Sequence, residues 1–189
     1  MKSQTRRVLS AVALFLSALA VQRAATAPWG EGAAADGSRY RLSPIGVSHV
    51  VAPQDRSAPT VDCRWWPRIG EASLCAAAPG GERAHARLRL AYPALQVALW
   101  LSIAALLLQA LRIPRAPAAH VAMSAAAFAM VASAIMIVTR SAPDALAVLR
   151  GVTLRFDSLG FVLAAGAAAL TAASAFLVAE RGATAAKPR

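Results

Sequence analysis

Cys63 and Cys75 are the only cysteines in the chain, and they share one hydrophilic segment with His49, His85 and the pair Trp65-Trp66. Two thiols twelve positions apart suit a disulfide in an oxidising compartment. In the chain-entropy picture such a closure is worth about 3 kcal/mol. A Cys2His2 metal site would need all four of these side chains, and their spacing fits no zinc pattern. Disulfide-generating membrane enzymes relay electrons between two closely spaced cysteine pairs. This chain has no Cys-x-x-Cys and no second pair, so that chemistry is set aside. The third histidine, His120, stands in an apolar stretch whose polar neighbours are glutamine, serine and threonine. A lone histidine cannot ligate a haem on both faces. An ion or proton path also has no acid to work with at depth. No nucleophile elbow and no His–acid pair can be assembled. The residues therefore predict neither catalytic group, nor metal, nor cofactor.

The elements that position these residues follow from four stretches free of Lys, Arg, Asp and Glu: Val8–Gln22, Leu90–Leu111, Ala116–Thr139 and Leu159–Ala179. A hydrocarbon core needs about 20 mostly apolar residues per helical crossing. Lipid supplies no hydrogen-bond partners, so each crossing must satisfy its own backbone. The chain is 58% hydrophobic, above the roughly 45–50% of soluble domains. The expected architecture is an all-α membrane protein: a bundle of four transmembrane helices with a small extracytoplasmic, β-rich, disulfide-stapled loop domain. Its segments are a cytoplasmic amino end (1–7), a first helix (8–22), an outer domain (23–89), a second helix (90–111), a cytoplasmic loop (112–115), a third helix (116–139), a second outer loop (140–158), a fourth helix (159–179) and a cytoplasmic tail (180–189).

The first stretch, with only 15 residues, also reads as a signal sequence, and Ala25-Thr26-Ala27 looks like a cleavage site. Pro28 disfavours cleavage, which predicts a retained helix or uncleaved signal anchor. Orientation comes from the short basic segments: Lys2, Arg6 and Arg7; Arg112 and Arg115; Arg181, Lys187 and Arg189. Such segments stay in the cytoplasm, which places both termini inside. The net charge of +11 then serves anionic lipid head groups, since no nucleic-acid motif or stacking platform is present. The Ala-rich, Arg-over-Lys composition points to a bacterial inner membrane.

In the outer domain, Arg39–Leu42 and Ile45–Val51 predict two strands joined at Ser43-Pro44, while 28–37 reads as a loop. Val152–Phe156 predicts a further strand that pairs with the first loop. Ser141-Ala-Pro143-Asp144 has the composition of a new helix start. Small residues recur every fourth position in Ala94, Ala98 and Ser102, in Ala125, Ala129 and Ser133, and in Gly160, Ala164, Ala168 and Ala172, which predicts close helix packing along these rows. Trp29 predicts an interfacial anchor.

Four helices with both ends inside, a long first outer loop and a shorter second one resemble the claudin and peripheral myelin protein superfamily. Trp29, Trp65-Trp66, Cys63, Cys75 and Arg89 occupy roughly comparable places, and Phe156–Gly166 looks like the family's approach to its fourth helix. The tryptophan pair follows the first cysteine instead of preceding it, and the Gly-Leu-Trp signature is missing. The resemblance implies a helix bundle capped by a small sheet, working through contacts and not through catalysis. Trp29, Trp65, Trp66 and Arg89 are then the candidate partner-contacting residues. The function expected is that of a non-catalytic accessory subunit that binds the lipid bilayer and other membrane subunits, or a second copy of itself. The alternative is a membrane enzyme or transporter component with its site near His49, His85 and Trp65-Trp66.

Overall fold

The computed structural model describes residues 3–33, 39–50, 61–64, 82–111, 116–146, 153–156 and 158–185. The elements in chain order are α1 (Ser3–Ala24), β1 (Gly30–Ala33), β2 (Arg39–Leu42), β3 (Gly46–Val50), β4 (Val61–Arg64), α2 (Glu82–Leu88), α3 (Ala91–Ala110), α4 (Ala116–Leu146), β5 (Thr153–Arg155) and α5 (Leu159–Ala185). Four helical spans are long and apolar enough to cross a membrane: Gln4–Ala24, Ala86–Ala110, Pro117–Asp144 and Leu159–Ala179. The protein is thus a mostly helical, multi-pass membrane protein with a small antiparallel sheet.

The first span is not short. α1 has 22 residues, a length of about 33 Å, because it continues through Arg6, Arg7 and Arg23. Arginine stems can lie along apolar surface while their heads reach water, so charge at a helix end does not stop the helix.

Each of the long helices buries a stripe of small residues and turns its large apolar ones outward. α1 buries Ser10, Leu14, Ser17 and Val21, α3 buries Leu95, Ala98, Ser102 and Ala105, and α5 buries Gly160, Ala164, Ala167, Thr171 and Ser174. Phe15, Trp100, Phe128 and Phe176 are exposed. This is the distribution lipid favours, where greasy side chains need no cover and small ones let backbones approach.

The buried positions alternate steps of four and three, and that corrects two of the predicted rows. A strict four-residue row drifts about 40° per step around a helix. In α5 the row starting at Gly160 stays inside through Ala164 and Ala168, but Ala172 has turned to the surface. In α4 the inward stripe is His120, Ser124, Ala127, Val131, Ala134 and Val138. Ala125, Ala129 and Ser133 begin one residue off that stripe and are exposed.

α4 also runs on to Leu146 where Ser141–Asp144 predicted a new helix. Pro143 falls in the last turn, where its missing N–H costs a single bond and little helix remains to be bent.

The sheet has the strand order β4-β3-β2-β1-β5, all neighbours antiparallel. The β2–β3 hairpin closes at Ser43–Gly46, with Ser43 N–H donating to the Gly46 carbonyl at 2.8 Å and Gly46 N–H donating back at 3.2 Å. β5 joins the sheet on β1, pairing Gly32 with Leu154. β1 itself, Gly-Glu-Gly-Ala, has poor strand propensity and was expected to be a loop. Two flanking strands hold it, and Gly30 permits the approach, since a Cβ there would lie 2.8 Å from the Arg155 carbonyl oxygen.

The chain forms two compact units. One comprises Met1–Gln22, Leu95–Ala132 and Ala164–Arg189, and the other comprises Arg23–Ala94 and Ser133–Leu163. The sheet belongs to the second, and Trp29 is its anchor. Trp29 is fully buried. Its backbone N–H donates to Leu42 O and its indole N–H to Ala24 O, both at 2.7 Å. The second bond satisfies one of the carbonyls left open at the end of α1. Phe161 meets the indole edge-on, with centroids 6.1 Å apart at 76°. The predicted interfacial role of Trp29, with a wet N–H, is therefore replaced by an enclosed one. Gly160 completes the joint: its N–H donates to Pro28 O at 2.8 Å. A Cβ on Gly160 would sit 2.6 Å from that oxygen and 2.6 Å from Trp29 Cδ1.

Two outcomes follow for protein purified in mild detergent. Gly160→Ala drives a methyl group into backbone oxygen and should destabilise by about 1–3 kcal/mol. Trp29→Phe keeps the ring but strands the Ala24 carbonyl, for a loss of similar size. Thermal melts followed by circular dichroism read both, and a melting point equal to wild type for Gly160→Ala would contradict the close approach.

Candidate functional site

Within the unit formed by Met1–Gln22, Leu95–Ala132 and Ala164–Arg189, each of four helices sends one polar side chain inward to a common point. Ser10 comes from α1, Gln109 from α3, His120 from α4 and Ser174 from α5. Ser10 and Ser174 are fully enclosed and His120 almost so. Each lies on the buried stripe of its own helix, so the same periodicity that lines up alanines lines up these four.

The hydrogen bonds have one consistent direction. His120 Nδ1 lies 3.2 Å from the Ala105 carbonyl oxygen, which can only accept, so the ring proton sits on Nδ1. Nε2 is then the acceptor, with Ser174 Oγ at 3.1 Å, Ser10 Oγ at 3.3 Å and Gln109 Nε2 at 3.3 Å. Gln109 Nε2 donates to Ser10 Oγ at 2.8 Å. Having accepted there, Ser10 donates to Ser174 Oγ at 2.8 Å, and Ser174 donates to Nε2. Turning the Gln109 amide over would set its oxygen against the Nε2 lone pair, which fixes its orientation. The amide oxygen Oε1 is left buried with no partner, as is Ser124 Oγ.

The chemistry of this chain of donors is limited by its two ends. It starts on an amide, which does not release a proton at ordinary pH, and finishes on a backbone carbonyl, which does not take one. A proton entering at one end has no exit at the other. Ser174 and His120 taken alone have the parts of a nucleophile and its base. Yet a second hydroxyl occupies the hydrogen-bonding space around them, and neither is open to a substrate. A groove of about 300 Å³ lined by Arg7, Val8, Ala11, Leu106, Gln109 and Ala110 touches only Gln109 of the four. Among the described residues no group of three or more His, Cys, Asp or Glu is placed to hold a metal.

What the arrangement does well is hold helices. Lipid offers a stranded hydroxyl or imidazole no partner, so separating the helices leaves these groups unsatisfied. Each buried bond of this kind contributes about 0.6–2 kcal/mol between membrane helices. Two further polar contacts act alongside. Ser17 Oγ on α1 donates to Ala167 O on α5 at 3.2 Å, and Thr171 donates to Ala167 O at 3.0 Å within α5.

No protein-family model matches this chain, and no curated protein matches it either.

The residues singled out in the sequence are not brought together at this site. Trp29 belongs to the sheet anchor and Arg89 is exposed at the turn between α2 and α3. Cys63 is on β4 and His49 on β3. Cys75, Trp65 and Trp66 lie outside the described residues, so the Cys63–Cys75 staple lies outside them as well; among the described residues no disulfide is present. Sequence reasoning noted Gln109 and His120 but read them separately and passed over Ser10 and Ser174. The available signal was the four–three spacing that puts each on the stripe of its helix.

A double-mutant cycle measures the lock. Ser174→Ala and His120→Ala should each destabilise the detergent-solubilised protein by about 1–3 kcal/mol. The double variant should lose clearly less than the two together, because one bond is counted in both. Strict additivity would show that the two residues are not coupled.

Proposed function

We infer that this protein is a non-catalytic integral membrane subunit that works by contact, presenting its helices and its sheet domain to partner membrane proteins or to a second copy of itself. The observation that carries this reading is the dead-ended polar cluster. The one histidine within the apolar spans is bound up in joining helices, and the interior contains no acid to build a transport path. The outward row Ala125, Ala129 and Ser133 supports the same reading, since small residues facing lipid leave room for another helix to come close. The architectural resemblance to the claudin and peripheral myelin protein superfamily is a further support, because that family also works through contacts.

The finer placement rests on charge. The basic short segments put both termini in the cytoplasm and the sheet-forming segment outside. The composition favours a bacterial inner membrane. In that setting Cys63 and Cys75 form the disulfide that staples the outer segment.

Affinity purification of the tagged full chain in mild detergent, followed by mass spectrometry, tests the reading. A partner recovered in stoichiometric amount, or a defined homo-oligomer, is the expected result. A monomer that carries a cofactor, or an activity abolished by His49→Ala or His85→Ala with folding intact, would replace it with an enzyme. The staple has its own check: a maleimide probe without reductant should label neither cysteine, and free labelling of both would remove it from the account.

A further inference from the structure

One face of the sheet carries a charge pattern that neither folding nor helix contact uses. β1 alternates buried and exposed positions, so Glu31 and Ala33 point to the open face. In the register of the sheet, Glu31 lies between Arg41 on β2 and Arg155 on β5, and Ala33 lies opposite Arg39. Arg39, Arg41 and Arg155 are all exposed, and together with Glu31 and Ala33 they line a cleft of about 350 Å³. That volume is within the range of ligand sites.

The three arginines are not equivalent. Arg41 Nε donates to Glu31 Oε1 at 2.9 Å, with both side chains about half exposed. An ion pair that open adds little to stability. Its effect is to hold the Arg41 arm along the sheet and to remove one charge. Arg39 and Arg155 have no polar partner among the described residues. They stand two strand spacings apart, about 10 Å, on either side of β1. The methyl group of Ala33 is the only bulk β1 places beside Arg39, so the floor between the two arms is low. Three guanidiniums against one carboxylate leave two positive charges uncompensated in the cleft.

We propose that this cleft binds a phosphate monoester, with Arg39 and Arg155 closing on its oxygens from opposite sides. A monoester carries roughly −1.5 to −2 charges near neutral pH and presents three acceptor oxygens. It therefore matches the two uncompensated charges in number, where a single carboxylate would leave one over. The guanidinium fork pairs with such oxygens two at a time. The phosphate may be borne by a soluble ester or by a lipid head group, since both present the same group. This site does not depend on whether the protein is an accessory subunit, and its test does not involve a partner protein.

The experiment uses the full chain in uncharged detergent. Glycerol phosphate is titrated calorimetrically for the soluble source, and micelles doped with phosphatidic acid are used for the lipid source. Binding of either probe, weakened tenfold or more by Arg39→Gln and by Arg155→Gln but not by Arg83→Gln on α2, is the expected result. The probe that binds identifies the source. Affinity should also fall as sodium chloride is raised, because the site is open to solvent. Absence of binding with both probes, equal loss in Arg83→Gln, or affinity indifferent to salt would overturn the proposal.

Discussion

A hydroxyl or an imidazole placed in hydrocarbon must find its hydrogen-bond partner in the protein, because the solvent has none. That constraint governs this molecule. Its long helices are built almost entirely from residues that make no demands on their neighbours, alanine above all. Alanine packs closely but specifies little, since one face of an alanine-rich helix is much like another. Ser10, Gln109, His120 and Ser174 break that degeneracy. They meet in only one arrangement of four helices, and any rotation or slide of one helix leaves a buried group without a partner. The cluster's contribution is as much to uniqueness as to stability.

The sheet is held by a different device. Trp29 ties the end of α1 to β1 by two hydrogen bonds and fills the space against Phe161. Gly160 lets the start of α5 come within hydrogen-bonding distance of Pro28. A small sheet of five short strands buries little apolar area, and here it leans on a helix end and one large aromatic instead. Its open face is then left to carry charge. The two devices leave the lipid-facing surfaces and the sheet face free, which are the surfaces a protein that works by contact would need.

The parts legible in the sequence are those set by composition and short-range chemistry. Freedom from charge marked the four spans. The strands Arg39–Leu42 and Gly46–Val50, with their Ser43-Pro44 turn, follow from β-branched and aromatic residues beside a turn-forming proline. The pairing of the 153–155 strand with the first loop was readable from its apolar alternation. Other features escaped because they depend on tertiary context. β1 is a strand only because β2 and β5 flank it, which Gly-Glu-Gly-Ala cannot reveal. The passage of α4 through Pro143 reflects a helix already established by the residues before it. Ala125, Ala129 and Ser133 mislead because a four-residue spacing drifts, whereas the packed face follows alternating steps of four and three. Ser10 and Ser174 look like ordinary helix serines until their 164-residue separation in sequence closes to 2.8 Å.

The central claim is a wiring diagram, and its most specific element is the proton on His120. Nitrogen-15 spectra of histidine-labelled protein in lipid nanodiscs report directly which ring nitrogen is protonated. The account predicts for His120 a proton on Nδ1, slow to exchange with water, and a bare Nε2 that accepts from Ser174. A proton found on Nε2, or one exchanging freely with solvent, would contradict it.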